Sequence, residues 1–174
     1  VDGLKSNGAE GDLTIQNGRN LSVSGALANA GAITVAPGCS LSVTGTYTQS
    51  GGVTTTQGTL AADTLSLESG LIKGSGILDA PMVNGGILRP GPGPLTINSS
   101  YQQTANGALE IELGGYASGS QFDIVQVLVP ASLAGLIQVE LINGFDPAVA
   151  DSFTFMTAPS ITGTFGNIES FSLN

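Results

Sequence analysis

Short runs in which an apolar residue alternates with a small polar one recur before residue 100: Leu13/Ile15, Leu21/Val23, Ile33/Val35, Leu41/Val43, Leu65/Leu67 and Leu95/Ile97. A period of two puts these aliphatic side chains on one side of an extended backbone and Ser, Thr or Gln on the other. Each run is too short to stand alone, so the pattern predicts strands stacked coil on coil at ~4.8 Å, with one continuous apolar column inside. Leu41, Val43, Leu95 and Ile97 are expected to point inward, and Ser42 and Thr96 outward. Between Leu60 and Leu88 the apolar groups Ile72, Ile77/Leu78, Met82/Val83 and Ile87/Leu88 are separated by Gly70, Gly74, Gly76 and Gly85-Gly86. That spacing fits short faces joined by tight corners, where glycine tolerates backbone angles that a Cβ resists; so many glycines disfavour a helix.

The chain also matches itself. NGRNLSVSGALANAGAITV from Asn17 aligns with PGCSLSVTGTYTQSGGVTT from Pro37, pairing Gly18 with Gly38, Leu21 with Leu41, Val23 with Val43, Leu27 with Tyr47 and Ile33 with Val53. A second match joins Pro37-Gly38 to Pro90-Gly91, and Leu41, Val43, Tyr47 and Gln49 to Leu95, Ile97, Tyr101 and Gln103. Repeats of about 20 residues are the mark of a solenoid.

Near Asn106 the grammar changes. The predicted strands lengthen (Leu109 to Leu113, Phe122 to Val129, Ile137 to Ile142, Ser152 to Thr157), and all six Phe residues lie beyond this point. A narrow solenoid has little room for phenyl rings, whereas a broader two-layer β structure has more. The division expected is residues 1–105 as coils and 106–174 as a C-terminal β cap continuous with them. Within the cap, Ile137, Val139 and Leu141 alternate and Gly135 interrupts any helical face, so Pro130 to Leu141 is read as strand.

Hydrophobic residues make up 41% and charged residues 10% of the 174-residue chain. The first figure supplies a core, and the second lies well below the roughly 25% of ordinary soluble domains, a balance that disfavours disorder. No apolar run approaches the ~20 residues that span a bilayer as a helix, so no membrane span is expected. The chain starts at Val1 without a signal-like segment, as a processed mature protein or a cut fragment would. Net charge is −9, and from Pro90 onward the acids Glu110, Glu112, Asp123, Glu140, Asp146, Asp151 and Glu169 stand without any Lys or Arg. That balance disfavours a nucleic-acid partner, because neutralising phosphates needs basic side chains.

Candidate chemistry is sparse. With no His in the chain, Cys39 has no imidazole to activate it, Ser-His-Asp and Cys-His constellations are excluded, and Cys39 reads as a small residue at a turn. Lyase chemistry would need a strong base, yet Lys5, Arg19, Lys73 and Arg89 sit in no evident acidic constellation, and Arg89 reads as a corner residue. Glu110 and Glu112 share a strand face opposite Leu109, Ile111 and Leu113 and read as a solvated face, although glycoside hydrolysis also uses paired carboxylates. Asp123 reads as a turn or cap carboxylate, as do Asp146 and Asp151; for Ca²⁺, two carboxylates fall short of the usual six to eight oxygens. The sequence therefore predicts no catalytic, cofactor-binding or metal residue. The T-x-T pairs Thr46/Thr48 and Thr54/Thr56 raise ice binding as a minor alternative, but Ala26/Ala28 and Thr34/Ala36 occupy the matching sites one repeat earlier.

The run GLIKGSGILDAPMVNGGILRPG resembles the passenger-associated strand repeat of autotransporters and related secreted bacterial proteins. Gly70, Ile72, Gly74, Gly76 and Leu78 fit its first half, and Val83, Asn84, Gly86, Leu88, Pro90 and Gly91 its second. The continuation LTINSSYQQTANGALEIEL, FDIVQV and LINGFDPAVADSFTFMTAPSITGTF is similar to the closing region of such passengers, so the resemblance runs from about Gly58 to Phe165. It implies a right-handed parallel β-helix, exported and displayed on or released from a bacterial cell. The sequence ends at Asn174 without the membrane barrel of an autotransporter, and secreted solenoids anchored in other ways share this closing region. The expectation is a non-enzymatic extracellular structural or adhesin-like module whose partner is a surface glycan or a host or cell-surface receptor. The alternative is a carbohydrate-binding or carbohydrate-active β-helix, for which Tyr47, Tyr101 and Tyr116 are the aromatics available before the Phe-rich part. Head-to-tail self-association is expected as well, because VDGLKSNGAEGD is a weak lid for the first coil and Ile168, Phe171 and Leu173 lack an evident partner strand.

Overall fold

The computed structural model describes residues 3–172 and is an all-β, parallel solenoid. β1 (Ser6–Asn7) and β2 (Asp12–Ile15) open it, and β3 (Asn20–Val23), β4 (Leu27–Asn29) and β5 (Ala32–Val35) form the next coil. β6 (Ser40–Thr56) and β7 (Thr59–Gly74) each run through a whole coil, with register shifts where they bend. The remaining coils are β8 (Ile77–Asp79), β9 (Met82–Asn84) and β10 (Ile87–Pro90); β11 (Pro94–Ile97), β12 (Tyr101–Gln103) and β13 (Ala108–Leu113); β14 (Ile124–Val127), β15 (Ala131–Leu133) and β16 (Leu136–Leu141); and β17 (Met156–Thr157), β18 (Ile161–Gly163) and β19 (Asn167–Ser172).

Three faces result. On face I, Leu13, Ile33, Thr54, Ile72, Leu88, Leu109, Ile137 and Ile168 stack in register. On face II the inward column is Leu21, Leu41, Leu60, Leu78, Ile97 and Val127. On face III it is Leu27, Tyr47, Leu65, Met82, Tyr101, Ala131 and Ile161. One apolar cluster fills the interior from Ile15 to Met156. Leu41, Val43, Leu95 and Ile97 are buried while Ser42 and Thr96 are half-exposed, as the alternation requires.

The self-match holds at Leu21/Leu41, Val23/Val43 and Leu27/Tyr47, which are register partners. It slips at Ile33, which stacks on Thr54 instead of Val53. Gly51-Gly52 supplies an extra residue, and Gly52 takes φ 59° where a Cβ would come within 2.1 Å of the Gly31 carbonyl oxygen. The slip turns Thr54 and Thr56 inward to full burial, so that T-x-T pair belongs to the core and not to a surface array.

The interior carries a polar seam at the III–I corner. Asn7, Asn29 and Gln49 are register partners, and so are Asn84 and Gln103. Asn29 Nδ2 donates to Gln49 Oε1 (2.9 Å) and Thr54 Oγ1 (3.2 Å), and the Tyr47 hydroxyl meets Thr54 Oγ1 at 2.6 Å. Asn84 Nδ2 donates to the Tyr101 hydroxyl and the Ala108 carbonyl, both at 3.0 Å, while Gln103 Nε2 donates to the Ala134 and Leu136 carbonyls, both at 2.8 Å. These amides bond carbonyls at the corner where the chain turns from face III to face I. Among the described residues no buried side-chain nitrogen or oxygen lacks a partner.

From residue 106 the strands stay in column with those before them: β13, β16 and β19 pair in parallel on face I. The broader structure anticipated there consists of wider coils instead of a second layer. The expected strand Ser152 to Thr157 narrows to Met156–Thr157, because the residues before it belong to an insertion. Val1, Asp2, Leu173 and Asn174 of the expected terminal contacts lie outside the described residues.

Candidate functional site

Both long insertions leave the solenoid at the same place, the I–II corner: 114–123 between β13 and β14, and 142–155 between β16 and β17. The corners from II to III and from III to I stay short throughout. The two insertions are fastened together. The first is closed on itself, with Gly114 N–H donating to the Gln121 carbonyl (2.7 Å), Gly119 N–H to the Phe122 carbonyl (3.0 Å) and Ala117 N–H to Gln121 Oε1 (3.0 Å), and side chains join it to the second. Tyr116 packs edge-on against Phe145 (5.0 Å between centroids) and stacks on Phe153 (5.8 Å), while Phe122 meets Phe153 edge-on (5.4 Å). Asp151 Oδ2 accepts from the Tyr116 hydroxyl and from Ala148 N–H, both at 2.7 Å. Asp151 is therefore the turn carboxylate expected, with a second task of tying one insertion to the other.

Between the insertions lies a cleft of about 290 Å³ whose lining includes Pro92, Glu112, Gln121, Asp123, Ile142 and Asn143. Asp123 is 3% exposed and exchanges bonds with Glu112: Asp123 N–H donates to the Glu112 carbonyl (3.1 Å), and Glu112 N–H donates to Asp123 Oδ2 (2.9 Å). Burial pushes the Asp123 carboxyl up to about 7, with the Glu112 charge adding to the rise and the Glu112 N–H bond and Arg89 opposing it. The cap role expected for Asp123 holds. Its burial was not foreseen, because Asp123 follows Phe122 at the end of a segment whose insertion the sequence pattern did not reveal.

Arg89 corrects the expectation made for it. It is not an isolated corner residue: it stands on the outer side of face I in an ion pair with Glu110. Parallel pairing of β10 with β13 brings Leu88 onto Leu109 and so Arg89 beside Glu110, a meeting that neither local sequence discloses. Glu110 is thereby paired and not merely solvated, and Glu112 pairs in register with Glu140 across the next coil. Arg89, Glu110, Glu112 and Glu140 border a second hollow of about 110 Å³ beside the main cleft. A third depression, about 510 Å³, is a more open trough past Cys39, Ser40, Gln57, Thr59 and Ile77, lined by hydroxyls, amides and backbone. Its one thiol, Cys39, is buried at a turn, as expected.

The tyrosines divide. Tyr47 and Tyr101 are 0% and 1% exposed, so they line no groove; burial raises the Tyr47 hydroxyl to about 12 and that of Tyr101 further. Tyr116 alone of the three is exposed, at 60%. Thr46/Thr48 do stack on Thr64/Ser66, but Ala28, Val83 and Gln102 share the outer column with Thr48, so the array ends after two coils. Among the described residues no three His, Cys, Asp or Glu side chains are placed to hold a metal ion, and no helix is long and apolar enough to cross a membrane.

No protein-family model matches this chain, and neither a curated protein nor a solved structure matches it. What its fold can be used for rests on the geometry above.

Proposed function

We propose that the chain is an extracellular structural or adhesin-like module, a stiff β-solenoid that carries the insertion-bearing corner along its side. The observation that carries this reading is the unbroken stacking of all three columns through the described chain, with every interior amide satisfied. Stability in such a stack is a sum over neighbouring coils, which suits a part that bears load along its axis. The resemblance to secreted bacterial passengers supports display outside the cell. In the last described coil Ile161 and Ile168 occupy inward columns yet are 47% and 72% exposed. This edge accepts one more β coil, supplied either by further residues of a longer chain or by a second copy stacking end to end into fibres.

Pulling the protein along its axis in an atomic-force instrument tests the load-bearing role. Stepwise rupture of coils at a defined force is the expected result; smooth extension without a force plateau would contradict it. Light scattering across a concentration series tests stacking, which requires mass that grows with concentration.

A further inference from the structure

The solenoid needs only short corners to close its coils, as residues 3–105 demonstrate. The two long insertions are therefore not needed to close the columns, although Phe155 at the end of the second packs against the core and its carbonyl accepts from Val125 N–H, and both emerge at one corner. Repeat architectures collect insertions on the side that binds. Here the insertions are also rigid, locked by four aromatic rings and by the Tyr116–Asp151 bond. A cleft between locked walls needs little ordering when it is occupied.

The lining narrows the chemistry of an occupant. Glu112 offers acceptors, and Gln121 keeps its Nε2 as a donor because its bond to Ala117 uses Oε1. Asn143 adds an amide at the rim, while Pro92 and Ile142 provide apolar surface between these polar groups. No Lys or Arg lines the cleft; the nearest guanidinium, Arg89, is engaged with Glu110. An anionic ligand would meet Glu112 directly and Glu110 and Glu140 close by, and the paired Arg89 is the one Lys or Arg among the residues lining the two hollows. A greasy ligand would strand the carboxylates and amides without partners. A cation would satisfy Glu112 but offer no acceptor to the amide N–H groups of Gln121 and Asn143, whereas a neutral ring with hydroxyls on its edge and C–H groups on its face meets the carboxylate, the amides and the apolar surface together.

We propose that the cleft at the I–II corner binds a neutral saccharide, with Glu112 accepting from adjacent ring hydroxyls, Gln121 and Asn143 completing the polar contacts, and Pro92 and Ile142 packing on the apolar face of the sugar. A volume of about 290 Å³ sits at the small end of ligand pockets, so one or two sugar rings fit and affinity is on the order of millimolar. Gly114 sets the width: a Cβ there would lie 2.8 Å from Ile142 Cγ1 and 3.0 Å from Asn143 Nδ2. This inference rests on the adhesin-like reading only for its biological sense, since a sugar site can exist on a solenoid that bears no load.

The test is titration of the ¹⁵N-labelled protein with soluble neutral oligosaccharides (cello-, malto-, xylo- and N-acetylglucosamine series) and, as a counter-panel, oligouronates. Shifts centred on residues 112–123 and 142–143 with at least one neutral series are expected, and none with the oligouronates. Glu112→Gln should weaken binding about tenfold, the scale of a lost charge-assisted bond, and Gly114→Ala should weaken it by narrowing the cleft. Glu68→Gln, exposed on β7 in the early coils, should leave the affinity unchanged, and unperturbed spectra of the free variants establish that each is folded. No neutral series binding, oligouronates binding more tightly, or shifts centred on the open trough at Ser40 and Thr59 would each overturn the proposal. Axial rupture force is indifferent to all of these outcomes, so the two readings fail separately.

Discussion

The coils before residue 105 and those after it share one set of columns and differ at one corner. In the early coils Leu41 follows Leu21 and Leu60 follows Leu41 at about twenty residues per turn; in the late ones Ile137 follows Leu109 and Ile168 follows Ile137 at about thirty. The added residues all enter between face I and face II. The early half spends its polar residues inward, on Asn29, Gln49, Thr54 and Asn84, where they hold corners shut. The late half, the buried Asp123 apart, places them outward, around a cleft that the columns do not require. The difference teaches that a solenoid can acquire a site without altering its core, provided the insertion respects the register of the strands on either side.

The largest expected effect tests the shared core. Ile97 is fully buried on face II, and Ile97→Ala should cost about 2–5 kcal/mol in urea unfolding. Thr96→Ala, next to it on the outer side, should cost within about 0.5 kcal/mol. Equal costs would mean that the strand phase is misassigned.

Next comes pH, through one buried carboxyl of the late half. The Asp123 carboxyl is held at about 7 in the folded chain, above its ordinary value of 3.8. Below about pH 4 it is protonated in both states. As pH rises, the unfolded chain ionises first, so folding loses stability between about pH 4 and pH 7 and levels off above that. The loss is on the order of 2–4 kcal/mol. Urea midpoints at pH 5 and pH 8 measure it, and Asp123→Asn should flatten the difference. An unchanged slope in the variant would assign the pH dependence to other carboxylates.

A smaller effect tests the inner seam of the early half. Asn84→Ala removes the amide that bonds the Ala108 carbonyl and Gly86 N–H, and the donor to the Tyr101 hydroxyl, which keeps its bond to Gln103, all in the interior. The expected cost is about 1–3 kcal/mol, the scale of buried polar groups left unpaired. Asn84→Leu should not restore it, since an aliphatic side chain bonds none of the three. If it did, the seam would be filling space and not closing corners.

These contrasts also explain what could be read in advance. The aliphatic columns were legible because period two is a local signal, and Leu41, Val43, Leu95 and Ile97 obey it. The seam was half legible: Gln49 lies two residues from Tyr47, and Gln103 two from Tyr101, so each shares the inward side with its tyrosine. Polarity alone had assigned amides to the outside. The slip at Gly51-Gly52 was hidden because a bulge changes the pairing without changing composition. The cleft was least legible. Glu112 and Asp123 stand on opposite sides of an insertion, and Arg89 meets Glu110 only through stacking of coils, so neither contact has a signature within one stretch of sequence.

The finest distinction between the halves lies in their tyrosines. Tyr47 and Tyr101 belong to the early coils and are shut inside them, with burial raising both hydroxyls. They should ionise only as the molecule unfolds. Tyr116 sits on the insertion, exposed, and its hydroxyl is also raised, chiefly because it donates to Asp151, a bond that ionisation would break. Absorbance near the phenolate band should therefore show one tyrosine titrating reversibly in the native protein, above the ordinary tyrosine range, before the other two appear together with loss of β structure. Asp151→Asn removes the charge that resists the phenolate, so it should move that single transition down while leaving the later, cooperative one in place. Movement of both would mean that the insertion and the coils unfold as one unit, and the corner could not then be called an addition to a self-sufficient stack.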